Sequence, residues 1–178
     1  MITKILALII RSEIVLLKLE LETPKDFSGV EDLYDLCFSP SRKVLSSYRL
    51  RENVKPIDKL CYLAKNETGS ILCAVRCWPI KIQRFKFLLL GPLAVHPTIQ
   101  AEGHGNYIIN ETLTRAEKFG WQAVILIGDL SYYRQFNFVI AKSIEFPLPT
   151  NTKRILIKSL NGFDISLIKG KVERWGAK

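Results

Sequence analysis

The chain has 178 residues, 48% apolar and 24% charged, enough for one hydrophobic core and too few to argue for two. No apolar run approaches the roughly 18 residues that span a bilayer, so no membrane is expected among its partners. The net charge of +9 favours an anionic partner. Its basic residues (Lys81, Lys86, Arg115, Lys118, Lys153, Arg154, Lys158, Lys169 and Lys171 among them) are dispersed, which argues for a solvated face and against nucleic acid.

Residues 1–178 read as a single domain in which 1–13 form an N-terminal extension or an added edge strand. The apolar stretch from Ile5 to Ile10 is closed by Arg11 and Glu13 and lacks a small-residue cleavage site, unlike a signal peptide. Residues 15–21 alternate Val15, Leu17, Leu19 and Leu21 with Leu16, Lys18, Glu20 and Glu22, the pattern of a half-buried strand. Thr23-Pro-Lys-Asp26 then supplies a cap, a proline at the first helical position and an acidic third position. Val30, Leu33, Tyr34 and Cys37 follow at helical spacing, and Pro40 closes the helix. A shorter helix is predicted over 41–50, then strands over 59–64 and 70–78 joined by an Asn66-Glu-Thr-Gly69 turn.

The run 85–95 is apolar apart from Lys86, as in a central strand buried on both faces. Residues 103–119 predict a helix carrying Ile108, Ile109, Leu113 and Ala116 on one stripe, stopped by Gly120. A short buried strand over 123–127, a turn or helix over 130–135, and strands near 138–144 and 153–159 complete the order βααβββαβαββ. That order is a mixed α/β sheet with helices on both faces.

The four cysteines are expected to be reduced core thiols of a cytoplasmic protein. Cys73 and Cys77 share one face of a strand about 13 Å apart, too far for a disulfide. His96 and His104 are the two histidines and neither is flanked by a second ligand, so no metal site is expected.

Three features of residues 88–107 point to chemistry. Gly91-Pro92 interrupts the predicted central strand. Proline donates no ladder hydrogen bond, so a bulge or splay is expected, leaving the backbone of Leu93, Ala94 and Val95 open to an added, strand-like polyamide. Gln100-Ala101-Glu102-Gly103-His104-Gly105 then joins strand to helix. Its glycines let a ligand approach closely, and the first helical amides can receive a pyrophosphate. The helix beyond packs its apolar stripe on the sheet, which fixes the aim of those amides.

The stretch Leu90-Gly-Pro-Leu-Ala-Val-His-Pro-Thr-Ile-Gln-Ala-Glu-Gly-His-Gly105 resembles motif A of the GNAT N-acetyltransferases, whose core pattern is Gln/Arg-x-x-Gly-x-Gly/Ala. Gly128-Asp-Leu-Ser-Tyr-Tyr-Arg-Gln-Phe-Asn-Phe138 is similar to the family's strand-end and Tyr-x-x-Phe-Gly-Phe element. Tyr48-Arg-Leu-Arg-Glu52 and the tail 160–170 resemble its YhbS-like bacterial branch, so the resemblance spans about residues 14–172. It implies a GNAT acyl-CoA N-acyltransferase fold, a mostly antiparallel sheet splayed at the acetyl-CoA site. Acetyl-CoA would be the donor and co-substrate, held by Leu93, Ala94, Val95, Gln100, Ala101, Glu102, Gly103, His104, Gly105, Asn106, Tyr107 and Tyr133.

The resemblance also implies direct transfer in a ternary complex to an amine on a small molecule, peptide or protein, by a monomer or homodimer. Tyr133 matches the general acid, and Asp129, ending a buried strand, is the candidate base against a simple capping role. Asn137 stands where the family has glycine, and Gln100 where many members have arginine. The predicted strand 85–95 carries no carboxylate. A second reading of the same residues is therefore a non-catalytic CoA-binding or protein-interaction module.

Overall fold

The computed structural model describes residues 17–176; the expected extension over 1–13 lies outside them. In chain order the elements are β1 (Glu20–Leu21), α1 (Phe27–Phe38), α2 (Ser46–Arg49), β2 (Tyr62–Lys65), β3 (Ile71–Ile82) and β4 (Phe85–Val95). They continue with α3 (His104–Lys118), β5 (Ala123–Ile127), α4 (Leu130–Tyr133), β6 (Val139–Ile140), β7 (Ile144–Glu145), β8 (Ile155–Ser159) and β9 (Gly170–Arg174). The sheet runs β1-β2-β3-β4-β5-β8-β6, with β9 on β3 and β7 on β9. Pairing is antiparallel except at β4·β5 and β7·β9. This is the expected mixed, mostly antiparallel architecture.

Strand alternation sorts the apolar residues onto two faces. Cys73, Val75, Cys77, Leu88, Leu90, Val124 and Leu126 meet Ile108, Ile109, Leu113 and Ala116 of α3. On the opposite face Leu63, Ala74 and Ala94 meet Val30, Leu33 and Tyr34 of α1. Further along that face Ile80, Ile82, Phe87 and Leu89 pack with Ile125, Ile144 and Ile168. Burying each of the Val, Leu and Ile side chains among these contributes about 1.5–3 kcal/mol, which is what holds α3 and α1 to the sheet. The 66–69 turn forms as read: Gly69 N–H donates to the Asn66 carbonyl, and Thr68 and Ser70 N–H donate to its side-chain oxygen.

Several boundaries differ from the pattern. Of the strand expected over 15–21, ladder pairing is seen at Glu20 and Leu21; Leu17 and Leu19 reach the core, whereas Leu21 is 51% exposed. The helix expected over 41–50 is a 3-10 turn, Pro40–Val44, followed by the single turn of α2. β3 runs past Trp78 through Pro79 to Ile82. Proline is tolerated there because β2 stops pairing at Val75 and β9 begins at Ile80, so Pro79 has no second neighbour to serve. The strand near 138–144 is broken by a Lys142-Ser143 turn into β6 and β7.

The entry into α1 rests on one carboxylate. Asp26 Oδ2 accepts from Thr23 N (2.9 Å) and Oγ1 (2.6 Å), and its Oδ1 lies 2.6 Å from Lys65 Nζ. The Lys65 hydrogen bond, then those from Thr23, hold the Asp26 carboxyl at about 2 against an ordinary 3.8. A depressed folded pKa contributes stability that is full above about pH 4 and lost as pH falls through 2. Asp26→Asn is expected to cost about 1 kcal/mol at pH 7. It should also flatten the pH dependence of urea unfolding between pH 4 and 2; an unchanged slope there would show that Asp26 is not its source.

Candidate active site

The cleft begins where two strands part. β5 pairs with β4 at Leu88 and Leu89, while β4 runs on to Val95. The β3·β4 register shows the cause. Val75 faces Leu93 and Cys77 faces Leu90, so Gly91 and Pro92 together oppose Arg76 as a bulge. Gly91 has φ 122°, a conformation open to glycine alone among common residues. Beyond the bulge His96 N–H donates to Leu72. By ladder alternation, the N–H and C=O groups of Leu93 and Val95 therefore turn away from β3, to the side β5 has left. The Gln100 amide already donates to the Val95 carbonyl (2.9 Å). Gln100 thus braces the strand end, a placement the sequence did not predict.

The loop to α3 closes beside this edge. His96 caps a 3-10 turn, Pro97–Ile99, with its Nδ1 3.3 Å from Thr98 N. Ala101 (φ 67°) and Gly103 (φ 88°) are both left-handed. Tyr107 N–H makes the first helical bond, to the Gly103 carbonyl, so the amides of His104, Gly105 and Asn106 precede the ladder. The His104 ring is buried with Nε2 3.3 Å from Glu102 Oε2. A Cβ at Gly105 would lie 2.9 Å from Tyr132 Oη and 3.8 Å from Val95 Cγ2, so the strand end, the helix start and α4 converge on that glycine.

The adjacent tyrosines have different surroundings. The Tyr132 hydroxyl donates to Asn106 Oδ1 (3.0 Å), and Asn106 Nδ2 donates to Gln135. Tyr133 lines the cleft, packed between Gly128, Phe136 and Phe138, and its hydroxyl has no hydrogen-bond partner among the described residues. Burial, reinforced by Tyr132 and Asp129 and partly offset by Arg154, pushes its phenol up to about 12. Asn137 is left-handed (φ 64°), a conformation that asparagine tolerates better than most residues, and it turns the chain into Phe138. Asp129 occupies the cap position of α4, but its side chain does not cap; it pairs with Arg154 at 3.2 Å on the cleft rim.

The cleft has a volume of about 540 Å³, walled by β4 and β5 at the splay, by 42–51 on one side and by 149–154 on the other. Ser46 Oγ meets Thr150 Oγ1 at 2.5 Å, and Arg49 donates to the Leu148 carbonyl, joining those walls. Three arginines line it: Arg42, Arg51 and Arg154. Arg42 is fully committed, to Asp35 (2.8 Å), Glu31 (2.7 Å) and the Tyr48 hydroxyl (2.6 Å). Glu31 also receives Arg76, and these hydrogen bonds overcome burial to hold its carboxyl below the ordinary range. Arg51 stacks on Tyr48, 4.3 Å from the ring centre, and desolvation lowers it to about 10, still a cation at neutral pH. Nothing in the local pattern of Tyr48-Arg-Leu-Arg-Glu52 or around Arg154 marks these residues as cleft-lining; tertiary packing brings them there.

No protein-family model matches the chain. Over 125 residues, 69% of the chain and 74% of the relative, it is 26% identical to the uncharacterised N-acetyltransferase YhbS of Escherichia coli. The crystal structure of E. coli YhbS in complex with CoA superposes with a TM-score of 0.76, at 22% identity over 90% of each chain. A GNAT family acetyltransferase from Brucella melitensis in complex with acetyl-CoA gives 0.67, at 22% identity over 90% of this chain and 96% of the other. The chain is a GNAT-fold protein and a sequence relative of YhbS.

Proposed function

We propose that the chain is an acetyl-CoA-dependent N-acetyltransferase acting by direct transfer to an amine. The observation that carries this reading is the splay itself. The edge of Leu93 and Val95 that β5 leaves uncovered, where the Val95 carbonyl alone is taken by Gln100 and Cys37, leads to the unladdered amides of His104, Gly105 and Asn106. A pantetheine arm suits the first and a pyrophosphate the second. Gln100 holds the strand end, while Ala101, Glu102, Gly103 and Tyr107 shape the loop and helix around the phosphates. YhbS and the Brucella enzyme, which share the fold, were crystallised with CoA and acetyl-CoA.

Acetyl-CoA, as co-substrate, supplies an acetyl group activated as a thioester. The neutral amine attacks the carbonyl carbon; a C–N bond forms and the C–S bond breaks. One proton leaves nitrogen, and one reaches the departing sulfur from Tyr133, which recovers it from solvent. Asp129, the one carboxylate lining the cleft among the described residues, takes the amine proton through water, because Arg154 occupies its oxygens. Incubation with acetyl-CoA and a panel of amines should release CoA thiol only when an acceptor is present. Release at the same rate with and without acceptors would contradict transfer and favour a non-catalytic CoA module.

A further inference from the structure

We infer that the acyl acceptor is a small amino acid whose free carboxylate is held by Arg51. This rests on the acetyltransferase reading above and names the acceptor class of that site. Arg51 lines the cleft at the foot of the splay, its Nη2 3.7 Å from where a Cβ on Gly91 would stand. Its Nε and Nη1 are shielded from solvent and have no hydrogen-bond partner among the described residues. Leaving a charged donor unmet in such a place is costly, so a carboxylate that reaches the guanidinium from the cleft, with a small shift of the side chain to expose these donors, would relieve that cost.

The neighbourhood offers no internal carboxylate for the purpose. Glu31 and Asp35 are spent on Arg42 and Arg76, and Asp129 on Arg154. Trp78 Nε1 is a second shielded donor without a partner among the described residues, and the Trp78 ring lies 6.0 Å from the Arg51 guanidinium carbon. Donors crowd this end of the cleft and acceptors are scarce. A polyamine would meet three guanidinium groups and one paired carboxylate, whereas a carboxylate would find a planar, bidentate partner.

Position separates this anion from the donor's phosphates. Gly91 lies four residues upstream of Val95, roughly 13 Å along the strand, and it is the Val95 end that meets the start of α3 at Gly105. Leu93, beside which the pantetheine arm would end, is two residues from Gly91, or about 7 Å. A molecule bridging Arg51 and the acetyl group therefore carries its amine only a few bonds from its carboxylate. The acetyl group passes from sulfur to that nitrogen as written above, with no further reactant.

The test uses matched pairs on the full chain: glycine, β-alanine, γ-aminobutyrate and the common L-amino acids, each beside its primary carboxamide, with spermidine as a polycation control. Thiol release from acetyl-CoA gives kcat/KM, and CoA affinity is measured separately by calorimetry. At least one free acid should exceed its carboxamide by tenfold or more, spermidine should be poor, and Arg51→Gln should erase the acid preference while leaving CoA affinity unchanged. The acid–amide contrast in the wild-type protein stands even if Arg51→Gln fails to fold. Carboxamides or spermidine used as well as the acids, a preference that survives Arg51→Gln, or CoA binding with no amino acid accepted would each overturn the inference. Absence of CoA binding would overturn the acetyltransferase reading beneath it.

Discussion

Tyr133→Phe is expected to lower kcat by about 10²-fold or more while CoA affinity stays near wild type. The two neighbouring hydroxyls are not interchangeable. Both residues line the cleft, but the Tyr132 hydroxyl is engaged by Asn106 over the start of α3, whereas that of Tyr133 has no hydrogen-bond partner among the described residues. With its phenol raised to about 12, Tyr133 remains protonated through neutrality and contributes no alkaline loss of rate below about pH 11. Tyr132→Phe should change kcat far less. A second substitution probes the same ring without touching the hydroxyl. A Cβ at Gly128 would lie 2.3 Å from Tyr133 Cε2 and 2.8 Å from Cδ2, so Gly128→Ala must displace the phenol. Its kcat should fall with CoA affinity retained. Equal kcat for wild type and Tyr133→Phe, measured where chemistry limits the rate, would remove Tyr133 from the mechanism.

Gly105→Val should abolish CoA binding with the fold intact. A branched side chain on the first turn of α3 meets the Tyr132 hydroxyl at 2.9 Å through its Cβ alone, and its methyl groups intrude on the space before the helix amides. Gly105 lies outside the left-handed region, unlike Gly103 at φ 88°, so the variant's penalty is steric rather than conformational. Circular dichroism and unfolding should be near wild type while calorimetry with CoA gives no heat. A folded variant that binds CoA normally would move the cofactor away from α3.

The parts of this architecture legible in the sequence are those governed by local periodicity. The apolar run of β4, its Gly91-Pro92 break and the stripe of α3 each follow from neighbours within a few residues, and each lies where the pattern puts it. β9 was not legible, because Val172 is the one buried residue of its five and its place depends on pairing with Ile80–Ile82, about ninety residues earlier. β3 runs past the expected end at Trp78 because Pro79 falls in the gap between its two partner strands on that side, a fact of tertiary pairing. The Gly105, Val95 and Tyr132 convergence was partly legible: the glycine came from the motif, but the hydroxyl above it came from tertiary packing. Arg51 was hidden for a similar reason. An arginine reads as a solvated charge, and its shielding here arises from Tyr48, Trp78 and Gly91, brought together from three separate elements.

The most direct test of the account is CoA binding to the unmodified chain. A ligand that binds the folded state alone adds about 2.7 kcal/mol of stability at a hundredfold excess over its Kd. Thermal unfolding should accordingly shift upward with CoA or acetyl-CoA and saturate with concentration, and the shift should vanish in Gly105→Val. An unfolding temperature that does not move at millimolar CoA would contradict the assignment of the β4–α3 edge as an acetyl-CoA site.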